Sequence, residues 1–498
     1  MSIRFLIFLL ITVLFSCTAT KYSPGKKYSK EILRQDFSLL RNTLEAKHPS
    51  LYWYAPKDSI DFYFDKYYNA IPDSMTELEF AWKIISPAIE KIHCGHTSVS
   101  MSKGYVKYNR GKKLPSFPMF IKFWNDSAVV VGSLRKDSVL KRGTIIKSIN
   151  GISTEVLVNE ILDYLPEDGY AENFNLIRLS SSFPYFHRNI FGLSKNYKIS
   201  FLSSEGILKD TTLPIYKPPV PVKKSDSTSK NVKTKPREKK TAKPKERKND
   251  KNYYRSFKID STGKYGIMEV NSFTSGNMRK FFKRSFKTLK KKEIKYLILD
   301  IRNNNGGKVG LSTLLTKYIR NTPFKVADSV YANSNTLKPY TKYFKGKWLN
   351  NIQLFFSTHK KNDGKYHLGY FENHFYKPRK KFHYNGKVYV LISGPTFSAA
   401  AVFANAVKGQ SNVILAGEET GGGWHGNSGI MIPDITLPHT RTRINIPLFR
   451  LVQFNHVEKN GRGIEPDYYI GTSYDALIRG ADRKMEVVQK LILNELTD

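Results

Sequence analysis

Apolar residues recur at two different periods along this chain, and the change of period marks its parts. From Ser29 to about Ser102 they fall at helical spacing, as in Glu31-Ile-Leu-Arg-Gln-Asp-Phe-Ser-Leu-Leu-Arg-Asn-Thr-Leu44. Thr76–Ile92 predicts a further helix, with Thr76 as N-cap and Glu79 as its capping-box partner. Gly95, in Ile92-His-Cys-Gly95-His96-Thr97, would stop it. From Lys113 to Tyr216 the apolar runs shorten and become β-branched. Ser127–Val131 and Thr144–Ile149 predict strands, Asn150-Gly151 a tight turn and Thr154–Leu165 a helix. Beyond Phe257 the two periods alternate. Strands are expected at Tyr265–Val270, Lys295–Ile301, Lys387–Ile392 and Asn412–Ala416, and helices at Asn277–Lys290, Gly310–Tyr318, Ser398–Val407 and Tyr474–Leu496. Strands apolar on both faces, separated by helices, predict a largely parallel sheet in an α/β core.

Composition adds a linker to this picture. The 498 residues are enough for about three domains, and 40% hydrophobic with 13% aromatic content supplies their cores. The formal net charge is +39, and a large share of it falls between Lys217 and Arg255. That stretch is rich in Lys, Pro, Ser and Thr and nearly devoid of large apolar residues. It cannot bury enough surface to offset its chain entropy, so 217–255 is expected to be a basic disordered linker. So high a charge invites a nucleic-acid reading, but no zinc-finger spacing, RNP-like motif or basic helix with interleaved aromatics accompanies it. Nucleic acid is therefore not an expected partner. The charge points instead to solubility or to contact with anionic surfaces.

The amino terminus reads as an address. Ile3–Ser16 has one early positive charge and a short apolar run, too short to span a bilayer comfortably, and fits the h-region of a secretory signal. Leu14-Phe-Ser-Cys17 resembles a bacterial lipobox. It implies a lipoprotein-type signal peptide over 1–16, a lipid on Cys17 that tethers the chain to a membrane, a polar tether over 17–28, and an extracytoplasmic place in a bacterial cell envelope. The alternative is an ordinary signal peptide or an uncleaved anchor. Cys94 is the only other cysteine, so no disulfide framework exists.

Candidate chemistry centres on Ser398. Val388-Tyr-Val-Leu-Ile-Ser-Gly-Pro-Thr-Phe-Ser398-Ala-Ala-Ala-Val-Phe-Ala404 predicts a buried strand, a tight turn and a helix start. A hydroxyl there sits beside unpaired helix N-terminal amides that face developing negative charge. The strand before Gly306-Gly307 ends in a second possible source of a free amide. A hydroxyl with two strand-end donor sites outlines an acyl-transfer site. The plain alternative is Ser398 as a helix N-cap.

Three segments resemble the peptidase family of the C-terminal processing (tail-specific) proteases and the tricorn core protease. They are Leu297-Ile-Leu-Asp300-Ile-Arg302-Asn-Asn-Asn-Gly306-Gly307, Phe397-Ser398-Ala399-Ala400-Ala401-Val402-Phe403-Ala404 and Gly417-Glu418-Glu419-Thr420-Gly421-Gly422-Gly423. The resemblance implies a ClpP/crotonase-like α/β core over 256–498; the helical spacing gives an N-terminal helical domain over 29–112, and the strand, Asn150-Gly151 turn and helix within 113–216 resemble a PDZ domain, so that a PDZ-like β-rich module is expected there. It implies Ser398 as nucleophile, with the amide of Ala399 and one from Gly306 or Gly307 as oxyanion donors. The acid often found three residues after the nucleophile is Ala401 here. The lysine of the processing branch falls on Gly423, so a Ser–Lys dyad is not available. The chain is closer to the tricorn-like branch, whose base lies in the amino-terminal segment, and Gly-His96-Thr matches its pattern. His96 is thus the implied base, with Gly95 where that branch has a serine and His425 as an alternative. Glu458 resembles the carboxylate that orients the base, and Glu465 competes with it. His93 and Cys94 raise the idea of a metal site, which the lack of a second Cys or His pair at ligand spacing argues against. The expected activity is a membrane-tethered serine endopeptidase or tail-specific peptidase acting on polypeptide, with no metal and no cofactor. The rival is an inactive protease-like scaffold that binds peptides or an envelope partner.

Overall fold

The computed structural model describes residues 22–124, 127–136, 139–219 and 251–497. The signal segment, Cys17 and most of the basic linker lie outside the described residues. The linker's expected end at 255 is too late, because a short helix, Lys251–Tyr254, already leads into a strand.

The core sheet has six strands: β1 (Arg255–Ile259), β2 (Tyr265–Val270), β3 (Tyr296–Asp300), β4 (Lys387–Ile392), β5 (Val413–Gly417) and β6 (Tyr468–Tyr469), side by side in that order. Only β1 runs antiparallel to its neighbour; the β2–β3, β3–β4, β4–β5 and β5–β6 pairs are parallel. Helices α1 (Met278–Lys291), α2 (Val309–Ile319) and α3 (Ala399–Val407) cover one face, where Phe282, Leu315 and Phe403 pack on Leu297, Leu299 and Val390. Helix α4 (Arg483–Glu495) covers the other, burying Val488 and Ile492 against Ile298, Tyr389 and Leu391. Burial on both faces is why β3 and β4 are uninterrupted apolar runs. The tail expected as one helix is two, because Gly480 ends Tyr474–Arg479 in the left-handed region at φ +68°.

A second, antiparallel sheet is absent from the predicted elements. It runs in the order His359–Lys360, Tyr366–His367, Ala327–Ala332, Phe449–Gln453, Gly426–Ile430. The N-terminal helices have no separate core of their own. Leu33, Phe37, Leu40 and Ile85 join Val330, Ile435, Ile444 and Leu451 in one cluster. The helix predicted over 76–92 keeps its capping box at Thr76 and Glu79 but passes through a π-helical stretch, Phe80–Ile85, and ends at Glu90.

Between these parts lies the β-rich module. Its strands are Met119–Trp124, Ser127–Ser133, Ile145–Ile149, Asn196–Leu202 and Leu208–Pro214, with Ile152–Ser153 pairing on Ile145–Ile149. Helices Thr154–Leu162 and Asn173–Ile190 accompany the sheet. Leu157, Ile161, Leu179 and Phe183 pack on Phe117, Ile121 and Ile146. Among the described residues, no helix is long and apolar enough to cross a membrane.

Candidate active site

Ser398 follows β4 and a turn, and it precedes α3. Its backbone stands at φ +52°, ψ −123°, a conformation that costs a non-glycine residue of order 1–3 kcal/mol. The surroundings enforce it. The Thr396 hydroxyl donates to the Ile301 carbonyl and accepts from the Ser393 N–H. The Phe397 N–H donates to the Asn304 carbonyl at 3.1 Å, and the Asn304 side chain, fully buried, donates to the Val270 carbonyl. From the other side, the Gly422 N–H donates to the Thr396 carbonyl, and a Cβ on Gly422 would lie 2.6 Å from the Ala401 Cβ. Gly422 and Ala401 therefore pack closely, and a longer side chain at 401 would crowd this turn.

The oxyanion side follows from the same turn. The Ala399 N–H opens α3 and has no acceptor among the described residues. Of the two glycines, Gly306 donates its N–H to Asn304 Oδ1 at 2.9 Å, while the Gly307 N–H has no such partner. Gly307 is therefore the freer donor. Gly306, at φ +96°, acts by shape: a Cβ there would lie 2.7 Å from the Ser398 Cβ.

His96 reaches this cleft from the N-terminal segment. Its turn is closed by the Thr97 N–H donating to the Cys94 carbonyl, and it continues into Ser98–Ser100, which pairs with Arg443–Asn445. Thr97 Oγ1 is 2.8 Å from His48 Nε2 beneath it. The imidazole lies against the Phe397 ring, 4.6 Å between centroids, and Phe397 stacks in turn on Phe174 at 5.1 Å. Gly95 makes this possible, since a Cβ there would lie 2.7 Å from the Phe397 ring. Ser398 and His96 come together at Gly429. A Cβ on Gly429 would sit 2.8 Å from Ser398 Oγ and 3.0 Å from His96 Nε2, close to both side chains. Neither ring nitrogen of His96 has a hydrogen-bond partner, so the pair is open, as catalytic contacts often are without substrate.

The carboxylate beside His96 is Asp168, not Glu458. Asp168 Oδ1 is 3.5 Å from His96 Nδ1 and accepts the Gly95 N–H at 2.9 Å. It comes from the loop Pro166–Tyr170 of the β-rich module, held by the Gly169 N–H donating to the His93 carbonyl and the Tyr170 N–H to the Gly461 carbonyl. Glu458 and Glu465 are both exposed and belong to other surroundings. His425 is held at Nδ1 by the Val457 carbonyl and packs on Trp53, outside the residues that line the cleft. No lysine is among those lining residues either. Asp168, Gly429 and the Phe174–Phe397 stack escaped the sequence reading; the one local cue is a polar Glu167-Asp168-Gly169 turn after a helix.

Charge at the site is coupled. Burial disfavours an imidazolium at His96, but Asp168 first and Cys94 second outweigh it and push His96 up to about 9. Burial would raise the Cys94 thiol, yet His48 and His96 bring it down to about 6. His93, by contrast, is pushed down to about 4 by burial, aided by Lys91, and stays neutral. The cleft in front of Ser398 and His96 holds about 610 Å³ and is lined by Asn271, Asn303, Asn305 and Tyr253, polar groups suited to a peptide backbone.

Residues 264–470 match the family model Peptidase family S41. Mature CPAF complexed with lactacystin aligns at TM-score 0.63 and 13% identity, covering 93% of this chain and 98% of that one. Mature CPAF alone aligns at 0.62 and 12%, covering 93% and 96%. The tricorn protease aligns at 0.41 and 14%, covering 94% of this chain and 37% of that one. No curated protein sequence matches the chain. At these identities the CPAF likeness speaks for the fold alone, but the matched segment contains the parallel sheet, the Gly306-Gly307 turn and Ser398. That segment therefore resembles peptidase family S41 over 264–470, and the match supports a serine peptidase.

Proposed function

We propose that this chain is a membrane-tethered endopeptidase or tail-specific peptidase in which Ser398, His96 and Asp168 act together. Ser398 Oγ attacks the peptide carbonyl while its proton passes to His96 Nε2. The forming oxyanion takes hydrogen bonds from the Ala399 and Gly307 amides. The imidazolium, steadied by Asp168 at Nδ1, returns the proton to the leaving amine, and water repeats the sequence to release the acyl group. The observation that supports this reading is the approach of Ser398 Oγ and His96 Nε2 to the one point that a Cβ on Gly429 would occupy. An extended polypeptide suits the cleft, whose lining offers side-chain amides rather than a deep apolar pocket.

The test is hydrolysis of a fluorogenic peptide library by the full chain. Ser398→Ala is expected to abolish turnover and fluorophosphonate labelling while leaving the thermal melt intact; unchanged turnover rejects the mechanism. Tethering rests on the lipobox-like Leu14–Cys17 and is tested separately. In a bacterial host, Cys17→Ala is expected to remove metabolic palmitate labelling and release the protein from membranes. An unlabelled Cys17 in the parent chain rejects it.

A further inference from the structure

On the side of His96 turned away from Ser398, three unlike side chains face one another. A thiol sulfur of Cys94, a ring nitrogen of His96 and a carboxylate oxygen of Asp168 all lie within 4.8 Å of each other. These are the ligand types of a tetrahedral zinc centre, with Zn–S of about 2.3 Å and Zn–N and Zn–O of about 2.0–2.2 Å. Ligands at those radii are about 3.3–3.7 Å apart, so a side-chain movement of about one ångström closes the set. A second observation points the same way. His96 Nδ1 and Asp168 Oδ2 are buried without hydrogen-bond partners, in residues only 8% and 2% exposed. Buried polar atoms are rarely left so, and the 3.5 Å approach of His96 Nδ1 to Asp168 Oδ1 makes no hydrogen bond. Spacing along the chain conceals this set, since Asp168 comes from a different module.

We propose that Cys94 Sγ, His96 Nδ1 and Asp168 Oδ2 form an inhibitory zinc site, with water as the fourth ligand. On coordination any proton on the Cys94 sulfur and the proton on His96 Nδ1 pass to solvent, and the sulfur binds as thiolate. The imidazole binds through its Nδ1 lone pair and must then carry its single proton on Nε2. A protonated Nε2 has no lone pair with which to take the proton of Ser398. Zinc thus silences the base from behind, without entering the substrate cleft. The binding claim stands on geometry alone; the inhibition claim rests on His96 being the base. Thiolate, imidazole and carboxylate together favour Zn²⁺ over Mg²⁺ or Ca²⁺, which take oxygen ligands.

The test uses the purified full chain, stripped with a chelator and titrated with Co²⁺ as spectroscopic probe. We expect one equivalent to give a thiolate-to-cobalt charge-transfer band and the visible bands of a tetrahedral ion, both displaced by Zn²⁺. Ser398→Ala should keep these bands, Cys94→Ser should lose the charge-transfer band, and Asp168→Asn should weaken binding at least tenfold, with thermal melts confirming folded variants. Zn²⁺ should inhibit peptide hydrolysis over the range in which it displaces Co²⁺, reversibly with chelator. No charge-transfer band in the parent chain, or one that survives Cys94→Ser, overturns the site and leaves the peptidase reading standing. A band that depends on Cys94 together with undiminished hydrolysis overturns the inhibition, and with it His96 as base.

Discussion

Ser398 is held by contiguous chain: a buried parallel strand, a turn tied by Thr396 and the first residue of a helix fix its position and its strained backbone. His96 is held by distant chain. Its turn rests on His48 below, Ser98–Ser100 pairs with a late strand, the Phe397 ring lies against it, and Asp168 reaches it from the β-rich module. The proposed nucleophile is therefore a property of one supersecondary unit, whereas the proposed base is a property of the assembled molecule. Perturbing packing far from Ser398 should harm the base first.

The sharpest way to break this contrast is to remove the groups on the assembled side. His96→Ala is expected to lower kcat by about 10⁴–10⁶-fold, and Asp168→Asn by about 10⁴-fold, as in other triads; steady-state kinetics on a peptide substrate measures both. If Asp168→Asn keeps near-parent turnover while Glu458→Gln loses it, the assignment of the carboxylate is wrong.

Gly429→Ala comes next. A methyl group 2.8 Å from Ser398 Oγ and 3.0 Å from His96 Nε2 should part the pair and cost about 100-fold in kcat, with little change in melting temperature. A smaller effect appears in the pH profile. An imidazolium cannot take a proton, so kcat/KM should rise with pH and level off near 9, where His96 deprotonates. The Cys94 thiolate helps hold that proton, so Cys94→Ser should move the rising limb toward acid. A limb that stays in place separates the two groups. Smallest of all, Glu458→Gln is expected to leave kcat/KM within about twofold, as exposed substitutions away from special contacts do.

The same contrast governs what the amino-acid sequence discloses. The parallel strands, α1 to α3 and the Ser398 turn are legible because each depends on residues adjacent in the chain. Ala399 and the Gly306-Gly307 turn come with them. His96 is legible only through a short resembling motif, since nothing in its neighbours says that it faces a serine. Asp168 is not legible at all: its meeting with His96 depends on Gly169 and Tyr170 bonding to His93 and Gly461, contacts that no local period encodes. Glu458 failed as a substitute because likeness of position in a family does not fix which way a loop turns. The antiparallel second sheet escaped for a related reason. Its strands are two to six residues long, too short for an alternating pattern to rise above chance.

The N-terminal helices and the second sheet bury one common cluster, Leu33 and Phe37 beside Ile435 and Leu451. A chain leaving the ribosome therefore displays its amino-terminal imidazole long before the sheet residues that anchor it exist. Until the carboxyl-terminal half is made and seated, His96 has no fixed place beside the segment that carries Ser398.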